Sequence, residues 1–214
     1  MKICVVGEKG GTGKTTLSTG LAACLAGDGR DVLLVDADTQ RTAMNWAAIR
    51  ATNDELAQLS CVSVLGAGMA KEVRKLADRY EDLIIDTGGR DTLEMRAALT
   101  VSDVAILPFQ PSQFDLWTVE KMYELLEATS VLNPELKVLA VMSRVETNAT
   151  TVDYLDAQQF LKEYESIALA TSPIRNRVAF KRASSVGMNV IEYENDALSK
   201  SSMELKQLYK DIFA

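Results

Sequence analysis

Between Val5 and Thr16 the chain carries four glycines, two lysines and three threonines in the order Gly7-Glu8-Lys9-Gly10-Gly11-Thr12-Gly13-Lys14-Thr15-Thr16. An apolar run from Ile3 to Val6 precedes this stretch, and Leu17, Leu21, Cys24 and Leu25 follow it at helical spacing. Strand, glycine loop, Lys-Thr and helix, in that order, make a receptor for phosphate. Gly10, Gly11 and Gly13 let backbone N–H groups converge on phosphate oxygens with no Cβ in the way. The helix that opens near Lys14 adds the positive end of its dipole. Lys14 would set an ammonium against the β- and γ-phosphates, and the Thr15 hydroxyl would ligate Mg2+. Two other apolar runs end on acids. Val32–Val35 leads into Asp36-Ala37-Asp38, whose carboxylates share a face of an extended chain. Leu83–Ile85 leads into Asp86-Thr87-Gly88-Gly89, in the manner of a Walker B strand whose acid holds Mg2+, usually through water.

These groups need a scaffold that delivers several strand ends to one crevice. The runs Val32–Val35, Leu83–Ile85, Val104–Leu107 and Val138–Met142 are continuously apolar, as buried parallel strands are. Helical patterns separate them: Thr42–Ile49, Lys71–Tyr80, Leu93–Leu99, a helix opened by a capping box at Ser112–Asp115 and running to about Thr129, Val152–Tyr164, and Asn195–Phe213. Shorter strands are expected at Cys61–Leu65 and Ile167–Ala170, and Pro108 is expected to stop its strand. The alternation predicts a single α/β domain over residues 1–214, a doubly wound, mostly parallel sheet flanked by helices, with ligands outside the carboxyl ends of the strands.

At 214 residues and 47% apolar content, one substantial core is expected. Histidine is absent, which excludes imidazole catalysis and His-ligated metal. Phosphoryl transfer needs positioning and charge neutralisation more than a strong base, so that absence costs this chemistry nothing. Cys4, Cys24 and Cys61 show no metal or redox spacing and read as small buried hydrophobes in a reducing compartment. With no secretory pattern and no apolar run of membrane-spanning length, a cytoplasmic protein is expected.

The strict pattern G-x-x-x-x-G-K-[ST] requires glycine at position 8, where this chain has Glu8. What fits is the deviant form K-G-G-x-G-K-[ST], which, with the D-x-D at 36–38 and the acid at 86, resembles the ParA/MinD family of dimeric P-loop ATPases. That resemblance implies ATP and Mg2+ as cofactors, bound by Lys9, Gly10, Gly11, Thr12, Gly13, Lys14, Thr15 and Thr16. It implies that Lys9 reaches the partner subunit's nucleotide in a sandwich homodimer formed on ATP binding. By the same resemblance Asp36 sits near the metal with Thr15 and Asp86, and Asp38 orients the attacking water, so that Lys9, Lys14 and Asp38 form the catalytic set. Three departures blur the subfamily: Thr39 stands where proline is usual, Asp86-Thr87-Gly88-Gly89 lacks the common proline or alanine, and Glu8 puts an acid beside the phosphates.

The net charge of −7 argues on average against nucleic acid, yet Ser166–Ile191 contains no acidic residue and holds Arg175, Arg177, Lys181 and Arg182. Pro173–Phe180 and the following Ala183, Gly187 and Val190–Glu192 resemble the C-terminal part of ParA-type DNA-partition ATPases. There, basic residues of the ATP dimer grip DNA without sequence preference, by salt-sensitive phosphate neutralisation. The resemblance therefore implies a nucleoid-associated partition ATPase that moves plasmid or chromosomal DNA. It would be reset by a ParB-like stimulator bound to a centromere or cargo, and it would lack an N-terminal helix-turn-helix. The alternatives are a positioning ATPase for a non-DNA cargo and a MinD-like membrane-positioning ATPase. The latter needs an amphipathic C-terminal helix. Leu198, Leu205, Leu208, Ile212 and Phe213 form a stripe that equally suits packing on the domain, so membrane binding is not expected.

Overall fold

The computed structural model describes residues 1–111, 113–147 and 151–213, with side chains at all of these except 113–118 and 151–153. Eight strands are seen among them: β1 (Lys2–Val5), β2 (Val32–Ala37), β3 (Ser60–Ser63), β4 (Asp82–Thr87), β5 (Val104–Phe109), β6 (Lys137–Val145), β7 (Ile167–Leu169) and β8 (Ile174–Arg175). They form one sheet in the order β3-β2-β4-β1-β5-β6-β7, with β8 on the far end of β6, and every pairing is parallel. The helices are α1 (Lys14–Gly27), α2 (Thr42–Arg50), α3 (Met69–Ala77), α4 (Leu93–Val101), α5 (Gln113–Ser130), α6 (Thr151–Leu161), α7 (Val178–Ser185), α8 (Val190–Glu194) and α9 (Lys200–Phe213).

Side chains of each strand alternate between two cores, because successive Cβ atoms point to opposite faces. Cys4, Leu33, Leu83 and Ile85 pack under α3 to α6, whereas Ile3, Val5, Leu34 and Ile84 pack under α1, α2 and α7 to α9. Register then levels the functional strand ends: Val5 and Asp36 both lie beside Asp86. That is the crevice position the strand pattern predicts.

Pro108 does not stop β5, which continues to Phe109. The Ile106 carbonyl accepts the Val6 N–H, so Ile106 and, two residues on, position 108 turn their backbone groups toward β1. The β1 pairing ends at Val5↔Ile106, so proline's missing donor falls where β1 has already become loop. The expected helix 195–213 begins later, as α9 at Lys200; before it Asn195, with a left-handed φ of 47°, caps α8, a short helix that was not anticipated. Strand β8 and helix α7, too short for a periodic signal, were not anticipated. The capping box expected at Ser112–Asp115 lies outside the described residues. All three cysteines are free, Cys4 buried and the other two half-buried, and burial pushes each thiol up to about 12.

Candidate nucleotide site

The loop between β1 and α1 depends on glycine at two left-handed positions, Gly11 (φ 79°) and Gly13 (φ 97°). Gly13 caps α1, and no side chain satisfies the first N–H groups of that helix, which are left to an anion. A Cβ on Gly13 would also stand 2.9 Å from the Ser143 hydroxyl. The loop after β4 presses against the same glycines: a Cβ on Gly89 would lie 2.9 Å from both the nitrogen and the Cα of Gly10. Lys14 is buried, and its ammonium donates to the Lys9 carbonyl at 2.8 Å, a bond that phosphate oxygens can replace. Desolvation holds the Lys14 pKa below the ordinary lysine value, while the nearby Asp86 and Asp38 carboxylates act in the opposite direction. Lys9 itself stands exposed on the rim. Glu8 does not face the phosphate position; its carboxylate turns outward to Lys121 at 3.6 Å.

Asp86 is fully buried, and both of its oxygens accept hydroxyl donors, Thr15 Oγ1 at 2.7 Å and Ser18 Oγ at 2.8 Å. Burial pushes its carboxyl up to about 7, the two hydroxyls and Lys14 oppose this, and Asp36 adds to it. A carboxyl poised near neutrality beside a threonine hydroxyl suits a divalent cation, which favours the ionised form. Among the described residues no cluster of three or more acids or cysteines forms a protein-only metal cage.

The D-x-D pair divides its labour. Asp36 is fully buried, and its oxygens accept the backbone N–H groups of Asp38 at 3.0 Å and Met44 at 2.9 Å. Asp36 therefore braces the turn into α2 from its place beside Asp86 in the sheet. Asp38 is half-buried, accepts the Gln40 N–H at 3.0 Å and lines the cleft with Thr87 and Gly89. Gly88 lies beside it, where a Cβ would make an ordinary 3.5 Å contact with the Asp38 carboxylate.

The cleft encloses about 310 Å3, between the phosphate loop on one side and Ile174–Lys181 on the other. Arg144, at the bulge of β6 and with φ 54°, lays its guanidinium over the loop and donates to the Gly11 carbonyl. Of the four basic residues expected to bind DNA, Lys181 and Arg182 are exposed on α7, and Lys181 lines the cleft with Arg175 and Arg177. Arg175 donates to the Glu146 carbonyl at 2.9 Å, and the Arg177 guanidinium pairs with Glu204 at 2.6 Å. Sequence reasoning also missed Ser18 and Glu204. Of these only Ser18 left a signal, a serine one helical turn after Lys14 on the face toward β4.

Residues 3–190 match the family model described as the CobQ/CobB/MinD/ParA nucleotide binding domain. The chain is 25% identical over 211 residues to a maintenance of carboxysome distribution protein A of Halothiobacillus neapolitanus, covering 98% of this chain and 95% of that one. It is 26% identical over 253 residues to the sporulation initiation inhibitor protein Soj of Bacillus subtilis, covering 99% and 98%. The septum site-determining protein MinD of Pyrococcus horikoshii, solved with Mg-ADP, shares the fold with a TM-score of 0.76 at 18% identity, over 99% of this chain and 95% of that one. The phosphate loop, the buried acid beside Thr15 and these matches agree: the chain belongs to the CobQ/CobB/MinD/ParA nucleotide-binding family and is an ATPase of the ParA/MinD type.

Proposed function

We propose that this ATPase positions a large cargo along the nucleoid, its ATP-bound sandwich dimer binding DNA without sequence preference and releasing it when a cargo-bound, ParB-like partner stimulates hydrolysis. The observation that carries the reading is the exposed Lys9 on the rim of a loop whose own phosphate contacts are assigned to Lys14 and backbone N–H groups. A lysine so placed serves a nucleotide held by a second copy. Within one subunit Lys14 and the loop amides hold the β- and γ-phosphates, Asp38 orients the attacking water, and Thr15 with Asp86 would hold Mg2+, which neutralises charge on the phosphates. Asp36 keeps Asp38 in place through its N–H. Lys181 and Arg182 are the exposed cations left for DNA phosphates, with Arg175 at the edge of the cleft.

DNA partition is one form of this function. A non-DNA cargo is the second reading, favoured by the near-full-length match to a protein named for carboxysome distribution. The membrane reading loses its feature, because Leu205, Leu208 and Ile212 of α9 are buried in the core beside α1. Among the described residues no helix is long and apolar enough to cross a membrane.

Binding to non-specific duplex DNA, measured with ATP, with ADP and without nucleotide across a salt series, tests the proposal. ATP-dependent binding that weakens with salt is expected. Equal binding in all three states, or none in any, would overturn it. Asp38→Ala should trap the ATP dimer on DNA with turnover lost, and normal turnover in that variant would assign the water to another group.

A further inference from the structure

Glu204 belongs to none of the motifs, yet its carboxylate organises one whole side of the cleft. It is 8% exposed. Its Oε2 accepts the Arg175 N–H at 3.0 Å, and its Oε1 accepts Nε and Nη2 of Arg177 at 2.9 and 2.6 Å. Arg177 is the N-cap residue of α7, and its donor-only guanidinium is held by α9. One carboxylate from α9 therefore fixes the residues on both sides of Asn176 and the start of the helix that carries Phe180 and Lys181 into the cleft. Removing either partner strands a charge of low exposure, so the pair holds as a unit.

The phosphate loop and Asp38 occupy the opposite side of the cleft, so the triphosphate lies there and the 174–181 wall faces the nucleoside. Ile174 and Phe180, both buried, give that wall an apolar surface suited to a base or ribose, with Asn176 as its polar member. We infer that Glu204 and Arg177 form a positioning pair for the nucleoside of ATP and ADP, and that Arg177 serves this wall and not DNA. The inference rests on the assignment of the cleft to ATP.

Calorimetric titration of unmodified ATP and ADP into wild type, Glu204→Gln and Arg177→Gln tests it. Both variants should lose affinity for the two nucleotides by the same factor, about tenfold or more, as supporting residues behind a binding site do. In steady-state hydrolysis the loss should fall on KM and not on kcat. At saturating ATP, Arg177→Gln should keep the wild-type salt dependence of DNA binding. Unchanged nucleotide affinity overturns the inference, as does loss of ATP affinity with ADP affinity kept. A flattened salt slope for DNA in Arg177→Gln, with nucleotide affinity intact, also overturns it and returns Arg177 to the DNA surface. Should the variants not fold, amide exchange of wild type decides: ADP must slow exchange in both 174–181 and 200–207, and unchanged exchange there refutes the pair's role. Wild type that binds neither nucleotide would overturn the cleft assignment itself, and the pair's role with it.

Discussion

The two sides of the cleft are made by different means. The phosphate side is consecutive chain: Gly10 to Thr16 supply backbone N–H groups, and the neighbouring strand ends add Asp38 and Asp86 by sheet register. The opposite wall is assembled from a distance. A two-residue strand and an eight-residue helix are held there by Glu204 from α9, while Glu192 of α8 grips the buried Arg50 of α2 with a bidentate pair at 2.7 and 2.9 Å. Backbone geometry fixed by glycine makes the first side; pairs of buried charges make the second. A catalytic end needs positions that no side-chain substitution easily disturbs, whereas a wall built from side chains can be altered one contact at a time.

Breaking the phosphate side should have the largest effects. Lys14→Ala removes the ammonium from a buried position and should abolish productive ATP binding, a loss of roughly 3 kcal/mol or more for a buried charge-assisted contact. Titration calorimetry would show it, and retained affinity would mean that the loop amides suffice alone.

Asp86 sharpens the contrast through pH. Burial pushes its carboxyl up to about 7 in the folded chain, from an ordinary value of 3.8. Between those values the folded state binds more protons than the unfolded one, so this group's contribution to stability falls as pH rises through that window, by a few kcal/mol. Nucleotide-free wild type should therefore melt progressively lower from pH 4 to 7 on this account, and Asp86→Asn should flatten the slope. A slope identical in the two proteins would show that other groups set it.

Gly89→Ala tests whether the close approach of the two loops matters, since its Cβ would stand 2.9 Å from Gly10 backbone atoms. A loss of about 1–3 kcal/mol, as for overpacking, should appear in thermal unfolding together with weaker ATP binding. At the small end, Glu8→Gln removes only an exposed 3.6 Å pair with Lys121 and should change stability by less than about 1 kcal/mol and leave ATP affinity within twofold. A larger rise in affinity would mean that Glu8 does repel the phosphates.

The same contrast explains what the sequence could disclose. Lys14, Thr15, Asp38 and Asp86 were legible because local chain order sets their geometry: an apolar run, a turn, and a group at the strand end. The parallel sheet was legible from apolar runs buried on both faces. Glu8 could not be read, since its direction depends on Lys121 more than a hundred residues on. Nor could the bracing role of Asp36, since one of its two donors, the Met44 N–H, reaches it only once α2 folds. Pro108 misled because a proline stops a strand only where a neighbour awaits its donor, and β1 ends too early to be that neighbour. The Glu204 partner of Arg177 was not legible either, because composition registers a cation and not the acid that answers it from another helix.

Arg50 carries a consequence for where this domain ends. It is 1% exposed, its guanidinium held by Glu192, the Gly187 carbonyl and the Ala57 carbonyl. The family match stops at residue 190, before both Glu192 and Glu204. A chain shortened to that boundary would keep every recognisable motif and strand two guanidiniums of low exposure without their carboxylates, at several kcal/mol for each buried charge left uncompensated. The last two helices thus belong to the smallest piece expected to fold around the nucleotide site, and the near-full-length matches to relatives span them as well.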